Sequence, residues 1–259
     1  MLRSLYSAAS GMLAQQVNID TISNNLANVN TTGFKKGRAE FQDLLYANIR
    51  PPISGDAGIM VGQGSRLSSI HRIFAGGAMQ ATGQAYDLAI QGPGFFRIQR
   101  SDRTEAYSRD GTFHLDSERH LATATGELLL GEKGPVTIPA KATNPEVTPE
   151  GVVRYSDAES GQTIVVDHIK LAVFANPSGM ASLGDNLWSV TDSSGTAFIS
   201  PSGANEVGRI QQGYLEASNV QVVEEMVSLI VAQRAYEINS KAVQSADEMM
   251  AMANNLRRG

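Results

Sequence analysis

The two ends of this 259-residue chain carry helical apolar patterns that its middle lacks, and this contrast constrains the fold most strongly. In residues 1–30, apolar side chains recur at spacings of three and four, as in a helix that pairs along one seam. These residues are Leu2, Leu5, Ala9, Met12, Ile19 and Leu26. The pattern predicts an N-terminal helix that ends before Gly33, where Asn, Thr and Gly accumulate.

The C-terminal segment predicts a second helix with two apolar faces. One unbroken row comprises Val220, Val223, Val227, Val231, Ala235, Ile238, Ala242, Ala246 and Met249. A second row lies on roughly the opposite face at about 100° per residue, and it comprises Leu229, Tyr236, Val243 and Met250. A helix that is apolar on two faces needs two partners. We expect the second row to contact neighbouring subunits, and the N-terminal helix to pair with Val223, Val227, Val231 and Ile238.

The middle of the chain has the short apolar runs and turn signals of an antiparallel β domain, spaced by roughly 10 residues. The predicted fold is therefore mainly β, with terminal helices that pair as a coiled coil. We expect four segments: an N-terminal assembly helix (1–33), a connector arm (34–65), a central antiparallel β domain (66–211) and a C-terminal assembly helix (212–259). The arm is expected to form a helical turn or an extended strand, and Pro51 and Pro52 would end any helix there.

An energy argument bears on how the helical ends are used. Ordering the backbone of a helix costs about 1–2 kcal/mol per residue. Each large apolar side chain in a seam returns roughly 1.5–3 kcal/mol, so one shared seam leaves a helix pair marginal. This favours helices that become ordered when many copies pack side by side. The alternative is that both helices fold onto the β domain.

Composition excludes several classes of function. The formal net charge of −5 and the scattered basic residues argue against a nucleic-acid partner. The chain has no cysteine, so thiol catalysis and thiolate metal sites are excluded. No stretch reaches the ~18 apolar residues of a membrane span, and the N-terminus has no apolar block of a signal peptide. We expect neither membrane insertion nor a cleaved signal.

Histidines beside carboxylates raise the alternative of a metal-dependent hydrolase. His114 and His120 share a predicted hairpin with Asp110, Asp116 and Glu118. Their spacing matches no metal-ligand motif, and charged hairpin tips are usually solvated. We therefore expect no enzyme activity, no metal and no cofactor.

Several motifs resemble those of one family. The asparagine-rich string at 23–35 resembles the signature of bacterial flagellar rod and hook proteins, and segments 87–96 and 107–113 are similar to the strand elements of that family. Segments 212–220 and 233–241 are most similar to the distal rod members. Chain length and the lack of a large inserted domain favour the rod over the hook.

The resemblance implies a structural subunit of the flagellar basal body. Such a subunit leaves the cytoplasm unfolded through the export apparatus and polymerises into a hollow helical shaft across the periplasm, which transmits torque to the hook. Its partners would be further copies, proximal rod proteins, the hook protein, ring proteins and the export apparatus. We expect inter-subunit hydrogen bonds from Asn24, Asn25 and Asn28. A proximal rod protein and a monomeric β binding or adhesion module are the alternatives.

Overall fold

The structure is a computed structural model that describes residues 2–50, 59–157, 162–204 and 207–256, without the side chains of 2–4, 48–50 and 59. The chain is mainly β with one helix near each end, which confirms the predicted content of the fold. Its contacts divide it into two compact units. Unit 1 comprises residues 1–27, 37–73 and 221–259, and unit 2 comprises residues 28–36 and 74–220.

Unit 1 contains two long helices. Helix α1 spans Leu2–Ala27, and helix α2 spans Val222–Leu256. They run antiparallel, because Glu225 of α2 lies beside Asn25 of α1 and Asn239 lies beside Gly11. The two contacts are separated by the same number of residues on both helices, so the register is constant between them.

Unit 1 also contains an extended β-hairpin arm. Its strands are β1 (Gly37–Asp43), β2 (Tyr46–Arg50), β3 (Ile59–Gly62) and β4 (Ser65–Arg72). β1 pairs antiparallel with β4, and β2 pairs antiparallel with β3. Of the two predicted forms of the arm, the extended one is therefore found. The predicted helix stop at Pro51 and Pro52 lies outside the described residues.

The arm lies along α1. At its base, a Cβ added to Gly37 would lie 3.5 Å from the Thr21 methyl group of α1. At its other end, Gly64 approaches Ser10, and the Ser65 N–H donates a hydrogen bond to the Ser10 hydroxyl at 3.3 Å. A strand rises about 3.3 Å per residue, so β1 covers about 20 Å of the helix.

Unit 2 is a set of short antiparallel strands. The largest sheet has the order β16-β17-β8-β7-β11-β10-β9, a second has the order β12-β13-β14, and the described pairs are β15-β18, β6-β19 and β5-β20. The strands are β5 (Met79–Ala81), β6 (Leu88–Gln91), β7 (Phe96–Gln99), β8 (Glu105–Ser108), β9 (His114–Leu115), β10 (Leu121–Ala122), β11 (Leu128–Leu129), β12 (Ala142–Val147), β13 (Val152–Asp157), β14 (Thr163–His168), β15 (Lys170–Val173), β16 (Ala181–Gly184), β17 (Leu187–Ser189), β18 (Phe198–Pro201), β19 (Arg209–Gln212) and β20 (Tyr214–Glu216).

The core of unit 2 has an aliphatic and an aromatic part. The aliphatic part is built from residues that alternate along the strands, such as Leu88, Ile98 and Leu171. In the aromatic part, the rings of Phe74 and Trp188 meet edge to face with centroids 5.1 Å apart. Trp188, the single tryptophan of the chain, is buried. This core positions the polar groups described below.

Candidate assembly surface and a buried ion cluster

Helix α2 turns toward α1 a stripe in which small or polar residues alternate with larger side chains. Glu225, Ala232 and Ala246 are its buried residues, and Leu229 and Val243 are half-buried. The stripe alternates steps of four and three residues, which keeps it on one side of the helix. It continues through Tyr236, Asn239 and Met250.

This stripe corrects the predicted orientation of α2. The four residues expected to pair with α1 are exposed on the opposite side, with exposed fractions from 56% to 75%: Val223, Val227, Val231 and Ile238. The residues expected to contact neighbouring subunits, in contrast, lie on the α1 side. Of these, Leu229, Val243 and Met250 are half-buried, and Tyr236 is 40% exposed at the border.

Close approach of the helix backbones explains the inversion. A Cβ added to Gly11 of α1 would lie 3.0 Å from the side-chain nitrogen of Asn239. With Ala232 and Ala246 also in the stripe, the two helices approach each other where side chains are small. Six of the seven β-branched residues of α2 lie outside the stripe, and Val243 is the exception. The prediction selected the most continuous apolar row, whereas the side that faces α1 carries a small or polar residue at every second position.

The residues of α1 that were predicted to pair with α2 are only partly buried. Leu5, Met12, Ile19 and Leu26 are half-buried, whereas Ala9 is exposed. The side chain of Leu2 lies outside the described part of the chain. The fully buried apolar residues of α1 are Ala8, Ala14 and Ile22.

The asparagines expected to contact neighbouring subunits have different environments. Asn24 is exposed and Asn28 is half-buried, but Asn25 is only 2% exposed. The Asn25 amide donates to the Gly37 carbonyl at 2.8 Å and accepts the Gly37 N–H at 2.8 Å, as a paired strand residue would. It also donates to a Glu225 carboxylate oxygen at 3.1 Å. Asn25 therefore holds α1, β1 and α2 together inside the subunit, which corrects the prediction for this residue.

Most of the large apolar side chains that are exposed in the described chain belong to unit 1. The outer face of α2 carries Val222, Val223, Met226, Val227, Ile230, Val231, Ile238, Met249 and Met252. The exposed apolar residues of α1 and the arm are Tyr6, Leu13, Phe41, Leu45, Tyr46, Met60, Val61, Leu67 and Ile70. Contiguous apolar surface of this kind marks an interaction site.

A buried ion cluster lies inside unit 2. The Glu216 carboxylate accepts a hydrogen bond from the Lys35 ammonium at 2.5 Å and one from the Arg109 guanidinium at 3.2 Å. The side chains are 0% exposed for Lys35, 1% for Glu216 and 5% for Arg109. Further donors reach backbone oxygens, because Lys35 bonds to Ala75, and the terminal nitrogens of Arg109 bond to Ile90 and Gly92. The buried Arg109 Nε has no hydrogen-bond partner among the described residues.

The environment of the cluster changes its protonation behaviour. Burial lowers the pKa of Lys35 from its ordinary value of 10.5, and the Glu216 carboxylate opposes that effect. Arg109 adds a further lowering of the Lys35 pKa through like-charge repulsion. Burial also lowers the pKa of Arg109. Two cations therefore depend on one carboxylate for compensation.

Sequence analysis did not single out this cluster, although every member lies in or beside a motif quoted above. Lys35 comes from the asparagine-rich string, Arg109 from segment 107–113 and Glu216 from segment 212–220. Gly92, which accepts a bond from Arg109, belongs to segment 87–96. The sequence signal for the cluster was a charged residue within each of these motifs. A single sequence does not show which of such distant residues contact each other.

Gly33 lies beyond the end of α1 and allows two segments of unit 2 to approach closely. Helix α1 ends at Ala27, and Gly33 adopts a φ of +67° further on. Its N–H donates to the Glu216 carbonyl at 2.8 Å, and an added Cβ would lie 2.6 Å from the Asp110 backbone nitrogen. Thr32 donates to the Asp110 carboxylate at 2.9 Å. Glycine is thus needed for both the backbone conformation and the close approach.

The hairpin that contains His114 and His120 is closed by a hydrogen bond to Asp116. Asp116 accepts the backbone N–H of His120 at 2.8 Å, which closes the turn, and its carboxylate lies 3.4 Å from His120 Nδ1. Within the described ranges, no three His, Asp or Glu side chains are grouped as metal ligands. None of the described helices has the length and apolar character to cross a bilayer.

These features define a two-unit protein whose exposed apolar side chains are concentrated on its helices and arm. Three family models match the chain: "Flagella basal body rod protein" at residues 5–35, "Flagellar hook protein FlgE/F/G D1 domain" at residues 89–155, and "Flagellar basal body rod FlgEFG protein C-terminal" at residues 211–256.

Proteins of similar sequence share the whole length of the chain. The flagellar basal-body rod protein FlgG of Borreliella burgdorferi is 45% identical, with 100% of both chains covered. The proteins of the same name from Caulobacter vibrioides and Bacillus subtilis are 41% and 40% identical, covering 99% and 100% of this chain and 100% of each relative. The chain belongs to the flagellar basal-body rod protein family, which does not favour a monomeric adhesion module.

One solved structure gives a weaker match. The flagellar hook protein FlgE2 of Helicobacter pylori matches 62% of this chain and 47% of its own at 14% identity. Its TM-score of 0.26 is too low to support an argument about the fold.

Proposed function

We propose that this chain, a structural subunit of the flagellar basal-body rod, polymerises through unit 1 into a hollow helical shaft. The observation that carries the proposal is the concentration of exposed apolar side chains on α1, α2 and the arm. Burying one large apolar side chain contributes roughly 1.5–3 kcal/mol. The outer face of α2 is therefore an unfavourable surface in water, and neighbouring copies would cover it.

The two helices act in this proposal as one antiparallel coiled coil. The alternating steps of four and three along the inner stripe of α2 support it. Polar residues in a seam specify register, because only one alignment pairs them. Asn25 with Glu225, and Asn239 against Gly11, are the candidates for this function.

The shaft would cross the periplasm and transmit motor torque to the hook, with the terminal helices lining the export channel. Subunits would leave the cytoplasm unfolded, without a cleaved signal. Further copies, proximal rod proteins, the hook protein, ring proteins and the export apparatus are the proposed partners, and no catalysis or cofactor is required. Identity of 40–45% over the full chain to rod proteins named FlgG supports the distal position over a proximal one.

The test replaces Val231 by aspartate. Val231 is 63% exposed on α2, so Val231→Asp leaves the inner stripe intact but places a charge on the proposed contact surface. We expect tubes from the concentrated parent protein in negative-stain electron micrographs and none from the variant. Phe198→Asp is the matched control, because Phe198 is 56% exposed in unit 2. Tubes formed equally by both variants would refute the proposed surface.

A further inference from the structure

We propose that Leu45, at a break in the arm, inserts into a cavity between α1 and the base of the arm in a second copy of the chain. This inference rests on the proposed polymerisation and names one of its contacts. We refer to Leu45 as the knob, and to the cavity as the socket.

The socket is large enough for an aliphatic side chain. It has a volume of about 260 Å³, and its apolar lining includes Val17, Thr21 and Ile70. The socket is open to solvent, so a side chain of another copy can enter it, and Val17 and Ile70 provide apolar contacts there. Asn24, exposed on α1, also lines it.

Among the side chains of the arm that the structure describes, the knob is the most exposed apolar one. Leu45 is 85% exposed and lies between β1 and β2, where neither strand pairing includes it. The backbone is nevertheless held there, because the Leu44 N–H donates to the Gly64 carbonyl at 2.9 Å. Its position is thus defined before any contact forms, which reduces the entropy lost on binding.

The charges beside the two features are complementary. Asp43 is exposed two residues before the knob, and Arg72 borders the socket. Burial lowers the pKa of Arg72, and a nearby carboxylate has the opposite effect because it favours the charged guanidinium. Asp20, the other charged group at the socket, is exposed and stays in water.

The spacing of knob and socket directs the contact to another copy of the chain. Ile70 of the socket pairs with Ala39, six residues before Leu45 on the arm, which corresponds to about 20 Å. The knob cannot reach the socket of its own chain across that distance. In the helical polymer proposed above, each copy offers its knob to one neighbour and its socket to another, and this heterologous contact continues from copy to copy. A closed dimer that exchanges knobs across a two-fold axis is the alternative that the test below separates.

The absence of cysteine makes a crosslinking test possible. In the full chain carrying Leu45→Cys and Ile70→Cys together, mild oxidation of concentrated protein should give a ladder of reducible oligomers. Disulfides need Cα atoms within about 7 Å, so an intrachain bond is excluded. The control pairs Leu45→Cys with Leu183→Cys, because Leu183 is 44% exposed in unit 2.

A ladder of oligomers from Leu45→Cys/Ile70→Cys, and no ladder from Leu45→Cys/Leu183→Cys, would support the contact between knob and socket. Monomers, or dimers alone, from Leu45→Cys/Ile70→Cys would overturn the inference. Electron micrographs of the same protein, taken after its disulfides are reduced, distinguish the proposal of polymerisation from the proposal of the knob and socket. Tubes without a ladder leave polymerisation standing and remove only the knob, whereas the absence of tubes contradicts polymerisation itself.

Discussion

Glu216 is the residue on which the interior of unit 2 depends most. Its carboxylate is the one negative group in contact with two buried cations, Lys35 and Arg109, so the cluster keeps a net positive charge away from water. Removing one partner of a buried ion pair usually costs more than replacing the pair by apolar groups. The three members therefore differ sharply in their sensitivity to substitution.

Glu216→Gln and Lys35→Met should have unequal effects. Glu216→Gln leaves two buried cations without a counter-charge, and we expect the free energy of unfolding to fall by about 3–5 kcal/mol. Lys35→Met leaves the pair of Arg109 and Glu216 intact, so we expect a loss below about 2 kcal/mol. Urea unfolding of unit 2, followed by Trp188 fluorescence, measures both. Equal losses would mean that the charge balance of the cluster is unimportant.

The lowered pKa of Lys35 predicts a pH dependence. Between its folded pKa and 10.5, the unfolded chain binds more protons at this site, so stability rises with pH there. We expect the parent protein to gain stability relative to Lys35→Met when the pH is raised from 7 to about 10. Tyr107, whose pKa is raised by burial, is present in both proteins and cancels in the comparison. A constant difference in stability would contradict the buried charge.

Asn25 gives a prediction for unit 1. In Asn25→Ala the Gly37 N–H loses its acceptor, and an unmade buried hydrogen bond costs about 1–3 kcal/mol. We expect the hydrogen-exchange protection of the Gly37 amide to fall accordingly. Asn24→Ala, the exposed neighbour on α1, should leave that amide protected. Similar exchange in both variants would show that Asn25 does not hold the base of the arm.

The elements differ in how well the sequence predicts them. Apolar periodicity predicts the terminal helices, and turn residues with alternation predict an antiparallel β domain, because both patterns follow from local geometry. The orientation of α2 was predicted wrongly. It depends on the fit of Gly11 to Asn239, and small residues carry almost no signal in an apolar pattern.

Contacts between distant segments could not be predicted either. The Lys35 ammonium and the Glu216 carboxylate are joined across most of the chain, and Asn25 bonds to Glu225 across an even greater part of it. Their residue types are equally compatible with a solvated surface. Only the folded backbone distinguishes a buried pair from two exposed charges.

The two faces of α2 can be distinguished by a pair of adjacent substitutions. Ala232 is 2% exposed in the inner stripe, and Val231 is 63% exposed outside it. Ala232→Leu adds volume to a packed seam, so we expect a stability loss of about 1–3 kcal/mol for unit 1. Val231→Leu should change the stability of unit 1 little. Amide hydrogen exchange of α2 in dilute protein measures both stabilities. A larger loss for Val231→Leu than for Ala232→Leu would restore the original prediction for the helix faces.

On the scale of the whole molecule, the buried ion cluster and most of the exposed apolar side chains belong to different units. Unit 2 buries its large side chains in two cores and encloses its ion cluster. Unit 1 contains most of the exposed large apolar residues of the described chain, on helices and a hairpin. A drive shaft requires stiff subunits joined by extensive contacts, and this distribution meets that requirement in a single chain.

The central claim is that unit 1 is completed by other copies of the chain, and concentration-dependent hydrogen exchange tests it most directly. We expect the amides of α1 and α2 to gain protection as the protein is concentrated, while those of the β7–β8 pair in unit 2 stay unchanged. Binding between folded copies stabilises by mass action, so the gain should follow the appearance of tubes. Full protection of both helices in dilute monomer, unchanged on concentration, would contradict the claim.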